Sequence, residues 1–419
     1  MKQPVFIAIL FILICNSTGM AQEKDHLAQV PNVEHVIIYQ EDGRFAGWPA
    51  NCGAFIFKGD EILTGFIEGP YLLQDGHNLG EPYYNWLARS TDGGSTWTAF
   101  DPERYVGDFG DQPDLKKLKN PVNFLAPGFA MRIVGNAYHG AYDGRGHFFL
   151  TRDAGNTWQG PFGFGNLAQH PEIKKYGLDE LTPRTDYIVT GKHACVLFIS
   201  AREKNRFGSD RLFCIKTTDG GQSFEFVGWI IKPFSQTESN DGKRVQLYKT
   251  PEKNPHPTEC RAVMSQSVQL SKDVIISVIR RKYIVRGGSD KHWLDAYMSK
   301  DGGQTWEFRS FIADCGGSNG NPPSLALTKD GRLWVAYGER NTGTIRLVYS
   351  SDQGLSWSNP RILMDGFWSE DMELNDLGYC RLLARSDGKL VALFYYSTKE
   401  HLHHLHAAIW DPEMIVASD

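Results

Sequence analysis

One short motif occurs five times along this chain: STDGGSTW from Ser90, TRDAGNTW from Thr151, TTDGGQSF from Thr217, SKDGGQTW from Ser299 and SSDQGLSW from Ser350. Each copy reads Ser/Thr-x-Asp-x-Gly-x-Ser/Thr-aromatic. Self-similarity of this kind means that one supersecondary unit is stacked repeatedly, so the period sets the fold. Turn chemistry explains the residue types within a copy. An Asp such as Asp92 turns its carboxylate back onto backbone N–H groups of its own loop, and Gly94 supplies the positive φ that closes the turn. Thr96 begins the next strand, and Trp97 enters the space between neighbouring sheets. The motif reads as a rigid hairpin, and its aspartates as turn residues rather than acids or metal ligands.

The motif resembles the Asp-box, or bacterial neuraminidase repeat, of sialidase-like β-propellers. That resemblance implies blades of four antiparallel strands with the box between the third and fourth. Strand-like runs of β-branched and aromatic residues precede each copy: 54–57, 61–66 and 85–90 before the first, 129–134 and 146–151 around the second, and 187–190, 194–200 and 211–217 before the third. The fourth has 263–270, 274–280 and 293–299, and the fifth 324–328, 333–337 and 344–350. After the last box come three runs, 379–384, 390–396 and 402–410, without a fourth. Residues 35–40 supply the missing strand, pairing the chain ends and removing a free sheet edge. The expectation is an all-β, six-bladed β-propeller whose N-terminal strand closes the last blade. A seventh blade within 99–129 is the alternative.

The N-terminus carries Lys2, an apolar run from Val5 to Cys15, and Gly19-Met20-Ala21, the pattern of a secretion signal. Residues 1–21 read as a signal peptide cleaved near Ala21, and 22–419 as a single catalytic propeller domain. The run is too short to span a bilayer, so a secreted or periplasmic protein without membrane insertion is expected, as a monomer. A net charge of −5 and a pI near 6.2 argue against nucleic acid as a partner. Six further cysteines lack CxxC pairs and read as buried thiols, with one disulfide possible. His401, His403, His404 and His406 alternate along a strand, which divides them between two faces. No metal and no cofactor are expected.

If the boxes occupy one face, the loops that lead into each first strand and those joining second to third strands build the other. These loops are rich in arginine. The first kind supplies Arg44, Asn51, Arg184 with Tyr187, Arg261, Asn321, and Tyr379 with Arg381; the second supplies His77, Tyr138 with His139, Arg202, Arg206, Arg280, Arg281, Tyr283 and Arg340. An acidic chain that gathers guanidinium groups at one mouth is suited to a carboxylate, which Arg grips with two parallel hydrogen bonds.

From Thr344 and Arg346 through SSDQGLSW to LGYCRL the chain resembles the closing half of a sialidase, which implies Tyr379 as nucleophile and Arg340 or Arg346 in an arginine triad. The opening half departs, because GRFAGWPANCGAF stands where sialidases carry an Arg-Ile-Pro-like segment. GRFAGWPAN, RTDYIV at Arg184, GNPPSL at Gly320 and DLGY at Asp376 are instead similar to sialidase-related bacterial propellers acting on uronic-acid glycans: rhamnose–glucuronate hydrolases and lyases, ulvan lyases and oligosaccharide dehydratases. Relatives often carry His after the PAN element; here Cys52 stands there.

A uronic acid has its C5 proton beside a carboxylate, so β-elimination can expel the C4 substituent once the carboxylate is neutralised and a base reaches C5. The expected reaction is carbon–oxygen elimination on an acidic oligosaccharide or polysaccharide. Arg184 is the expected neutraliser, with Arg261 or Arg340 assisting, and Arg280, Arg202, Arg381 and Asn51 complete the binding set. Tyr187, His77, His139 and Tyr379 are the proton-transfer candidates. A sialidase-like exo-glycosidase using Tyr379, and a non-catalytic glycan-binding propeller, are the alternatives.

Overall fold

The computed structural model describes residues 27–74, 76–103, 105, 114–135, 145–204, 210–232, 261–283, 291–316, 320–370 and 376–417. The leader region, His139, Tyr138, Arg206 and Cys260 lie outside the described residues. Strand β1 (Glu34–Tyr39) stands alone at the start. The first sheet then contains β2 (Arg44–Gly47), β3 (Ala54–Ile56), β4 (Ile62–Pro70), β5 (Tyr84–Ser90) and β6 (Thr98–Phe100). The second has β7 (Ala130–Val134), β8 (His147–Thr151) and β9 (Gln159–Gly163). The third comprises β10 (Glu180–Leu181), β11 (Tyr187–Gly191), β12 (Ala194–Arg202), β13 (Arg211–Thr217) and β14 (Glu225–Trp229).

The fourth sheet is β15 (Arg261–Gln269), β16 (Ile275–Tyr283), β17 (Lys291–Ser299) and β18 (Glu307–Asp314), and the fifth is β19 (Ser324–Leu327), β20 (Leu333–Glu339), β21 (Thr344–Ser350) and β22 (Arg361–Met364). The last holds β23 (Gly378–Ala384), β24 (Leu390–Tyr396) and β25 (His404–Trp410), and β1 pairs antiparallel with β25 as its outer strand. Six sheets with an N-terminal closing strand are therefore the architecture.

Packing shows why the ring has six members. Five buried apolar clusters each join one sheet to the next, and a sixth joins the last to the first. Strand alternation feeds them: on β24, Leu390, Ala392 and Phe394 face the fifth blade, while Val391 and Leu393 face the first. Because both faces are covered, the strands read as nearly continuous apolar runs rather than as half-buried alternation.

All five boxes have the same geometry. The aspartate accepts the N–H of the residue four on at 2.9–3.0 Å. Its other oxygen accepts that residue's hydroxyl at 2.5–2.6 Å. The first hydroxyl of the motif accepts the glycine N–H at 2.8–2.9 Å. Each closing aromatic then packs into the cluster shared with the preceding blade: Trp97, Trp158, Phe224, Trp306 and Trp357 in turn. The structural reading of the aspartates holds.

Two features depart from the expected pattern. The innermost strand of the first blade is split into β2 and β3 by a one-turn helix, α1 (Pro49–Cys52). The second blade shows three strands, which leaves the inner edge of β7 without a neighbouring strand among the described residues.

Candidate active site

Antiparallel order puts the box turns at one end of the ring and the second-to-third loops at the other. At that second end the innermost strands lose regularity. In the first blade Trp48 has φ 62° and α1 follows; in the third, residues 182–186 separate β10 from β11; β15 shifts register around Met264, φ 59°; β23 shifts register around Tyr379, φ 50°. Left-handed backbone costs a non-glycine residue about 1–3 kcal/mol and persists only where the surroundings over-determine it. Trp48, Met264 and Tyr379 nevertheless meet in one axial apolar cluster with Phe45, Val263 and Tyr395. Gly378 is required there, since a Cβ on it would lie 2.1 Å from Asn321 Oδ1, the atom that accepts the Tyr379 N–H at 2.8 Å. GRFAGWPAN supplies Phe45, Trp48 and Ala50 of this cluster, DLGY supplies Tyr379, and GNPPSL supplies the Asn321 that holds the Tyr379 backbone.

Around the axial cluster lies a polar set. His77, on the loop between β4 and β5, places Nδ1 2.8 Å from Asp376 Oδ1. Asp376 also accepts from Arg340 Nη2 at 3.1 Å, from the Asn78 N–H at 3.3 Å and, through a short bond, from the Tyr395 hydroxyl. Burial alone would raise the Asp376 carboxyl, but His77, Arg340 and Tyr395 together hold it below the usual carboxylate range. An ionised carboxylate only accepts, so His77 Nδ1 is the donor in this bond. The His77 ring meets Trp48 at 4.7 Å and Tyr379 at 5.9 Å between centroids.

Tyr379 lies between two guanidinium groups, Arg340 at 5.8 Å and Arg280 at 6.0 Å from its ring centre. Arg280 is 3% exposed, yet its Nε has no hydrogen-bond partner and Nη1 donates to Met264 Sδ at 3.4 Å. Among the described residues it makes no ion pair. The structure thus brings His77, Tyr379, Arg280 and Arg340 together.

A second basic group surrounds α1. Arg184 Nε donates to Asn51 Oδ1 at 3.0 Å, and Arg381 Nη2 donates to the carbonyls of Ala50 and Thr185 at 2.7 and 2.8 Å. Arg132, on β7, joins them against Cys52; it is 4% exposed, with Nε and Nη1 unpartnered, and its guanidinium stands 5.6 Å from the Tyr105 ring centre. Burial lowers Arg381 to about 10, with Asp186 opposing and Arg132 adding to the shift. Burial pushes the Cys52 thiol up against the pull of all three arginines, so Cys52 is unsuited to proton transfer at neutral pH.

Three expected site residues serve the scaffold instead. Tyr187 accepts the Met131 N–H at 3.1 Å and Thr185 Oγ1 accepts the Ile133 N–H at 3.1 Å, so two side chains cap the bare edge of β7. Burial raises the Tyr187 hydroxyl far above its ordinary value, and its ring packs 6.0 Å from Phe129 between the second and third blades. Arg261 is paired with buried Asp210 at 2.7 Å, and Arg202 with Glu180 at 2.8 Å. Their charges are already matched. Arg132 is the member that sequence reasoning missed. A charged residue inside the apolar strand AMRIV was the available signal.

No family model matches the chain, and no curated protein does. Solved structures do. A protein of unknown function from Dyadobacter fermentans aligns over 91% of this chain and 99% of its own with a TM-score of 0.61 at 17% identity. The GH93 α-L-arabinofuranosidase of Fusarium graminearum with arabinobiose aligns over 90% and 98%, TM-score 0.54, at 15% identity. A Hadza microbial sialidase aligns over 88% and 66%, TM-score 0.51, at 13% identity. The chain shares with these proteins the fold of a six-bladed β-propeller.

Proposed function

We propose that this protein is a carbohydrate-active enzyme that binds the carboxylate of an acidic sugar at the axial site and eliminates the substituent at C4. The observation that carries the reading is Arg280, buried beside Tyr379 with a thioether as its hydrogen-bond acceptor. Burying an unpaired guanidinium costs several kcal/mol, which an anionic ligand offsets. Arg280 holds the carboxylate and stabilises the enediolate. His77 Nε2 takes the C5 proton, the C5–H electron pair becomes the C4–C5 double bond, and the C4–O bond breaks. The Tyr379 hydroxyl donates its proton to the departing oxygen. Asp376 fixes the His77 ring and tautomer.

The buried carboxylates near the axis support elimination over two-carboxylate hydrolysis. Asp376 is bound by four groups, and Asp186 accepts from Ser265 and Ser267 hydroxyls at 2.6 and 2.9 Å. The second reading is hydrolysis with Tyr379 as nucleophile, favoured by the strained backbone that presents it and by the arabinofuranosidase and sialidase among the similar structures. Incubation with uronate oligosaccharides distinguishes them. Elimination yields an unsaturated uronate that absorbs in the ultraviolet; a reducing sugar released without that band overturns the first reading. Arg280→Ala abolishes the band if Arg280 grips the substrate, and unchanged turnover removes it from the site. Export after cleavage near Ala21 and a monomeric state belong to the same proposal.

A further inference from the structure

Strand alternation on β7 sends Met131 and Ile133 toward the third blade and Ala130, Arg132 and Val134 toward the first. Ala130 and Val134 close an apolar seam there with Leu63, Leu87 and Tyr105, so the Arg132 side chain enters a dry contact between two blades. Its guanidinium is 4% exposed, and neither Nε nor Nη1 has an acceptor. Among the described residues it forms no ion pair.

Among the described residues, no neighbour of Arg132 supplies the missing negative charge. Cys52, against which Arg132 rests, keeps its proton because burial pushes the thiol up. Burial raises the Tyr105 hydroxyl likewise, and that hydroxyl donates to the Cys52 carbonyl at 2.6 Å. Arg381 brings a second guanidinium with a bare Nε, and the two cations repel. Asp186 faces Arg381, but its oxygens are taken by the Ser265 and Ser267 hydroxyls at 2.6 and 2.9 Å. Buried cations set side by side are strongly unfavourable unless an anion lies against them.

Packing sets the size of that anion. A Cβ on Gly65 would lie 2.3 Å from Tyr105 Oη and 2.8 Å from Cys52 Cβ, and one on Gly53 would lie 2.9 Å from Phe55 and 3.2 Å from Thr185. Cys52 is fully buried and Arg381 is 7% exposed, so a sugar ring does not reach these donors. A spherical ion accepts N–H bonds from any direction and needs only an atom's space. We infer that Arg132 and Arg381 hold a small inorganic anion of halide size beside α1, in the seam between the first and second blades. The ion ties β7, whose inner edge has no neighbouring strand among the described residues, to β23 and, through the Arg381 bond to the Ala50 carbonyl, to α1. It is an internal counter-ion rather than a substrate, and it does not rest on the elimination reading.

The test is thermal unfolding of the whole protein at constant ionic strength, with sodium chloride or bromide replacing sodium gluconate. Binding to the folded state raises the melting temperature by roughly 1–3 °C for each tenfold step in halide above the dissociation constant. Arg132→Met, which removes the charge and keeps the length of the side chain, loses the halide dependence. Arg280→Ala, at the axial site, keeps it. Bromide soaked into crystals of the wild type gives an anomalous peak at Arg132 Nε and Nη1, which tests the site if Arg132→Met does not fold. A melting temperature that no halide moves, a response that Arg132→Met retains, or bromide bound only away from Arg132 overturns the inference. So does methyl β-D-glucuronide that stabilises the protein through Arg132 where halide does not, since those donors would then serve a sugar carboxylate. Turnover is read separately in the ultraviolet assay, so failure of the elimination reading leaves the halide result standing.

Discussion

The two ends of this propeller are built on opposite rules. At one end, five turns repeat the same hydrogen bonds to within 0.1 Å, and each box aromatic seals the seam to the preceding blade. At the other, the innermost strands break in different ways: a helical turn after Trp48, an excursion at Arg184, bulges at Met264 and Tyr379. Repetition marks the part that must close a ring. Irregularity marks the part that must gather unlike side chains on one axis, and the two demands are separated along the strand direction.

The sharpest test of that division is chemical. Tyr379→Phe and His77→Gln each remove a proposed proton-transfer group and are expected to lower kcat by about 10²–10⁴-fold, with thermal unfolding little changed. Turnover assays and melting curves on the same preparations check this. Activity retained by both variants would move the chemistry away from the axis. Replacing a box residue such as Asp92 leaves kcat untouched, which is the contrast the comparison requires.

Next in size is Asp376, which belongs to both stability and site. Asp376→Asn removes the buried charge that Arg340, Tyr395 and His77 share. Breaking one partner of such a buried set costs about 3–5 kcal/mol. Denaturant unfolding measures that loss, and it is accompanied by a fall in kcat because His77 loses its fixed tautomer. A variant that keeps full stability would show that Arg340 finds another partner.

Box substitutions are smaller. Asp352→Ala removes two bonds to Ser356 and the bond from Ser350, and is expected to cost about 0.5–2 kcal/mol, seen as a lowered melting temperature at unchanged kcat/KM. Loss of activity in step with loss of stability would mean that the two ends are not independent.

The same division decides what was readable from the sequence. A box is written in residues two and four apart, so its turn, its glycine and its aromatic anchor follow from local chemistry, and the strand 211–217 is placed to the residue. The closing strand was legible because three strands after the last box need a fourth. Sorting loops by face put His77, Arg280, Arg340 and Tyr379 at the same end of the ring, since antiparallel order alone assigns the faces. What the sequence cannot order is which arginine already has a partner. Arg261 is 51 residues from Asp210 and Arg202 is 22 from Glu180, and nothing local distinguishes them from Arg280. The bond that the Tyr187 hydroxyl accepts was hidden for a related reason: the bare edge of β7 that claims it exists only once the second blade is seen to have three strands. The strand 402–410 begins two residues late because His403 adopts φ 45° to stack on Tyr71.

Acid separates the two ends most finely. On the site side, burial lowers His406 and brings His403 and His404 to about 4. The unfolded chain takes up those protons near pH 6.5 while the folded one does not, so stability rises with pH across this range. The histidine contribution is complete above about pH 6.5 and is lost as pH falls toward 4. On the box side, the aspartates are held down, Asp92 and Asp352 to about 2 by hydrogen bonds from their own loops that outweigh burial. Their contribution is present above the ordinary carboxylate range and is lost below about pH 4. Melting temperature against pH should therefore fall in two stages. His404→Gln with His406→Gln flattens the upper stage and leaves the lower one, whereas Asp92→Asn with Asp352→Asn does the reverse. A single transition altered equally by both pairs would show that the propeller takes up acid as one unit, and that its site face has no separate stability to lose.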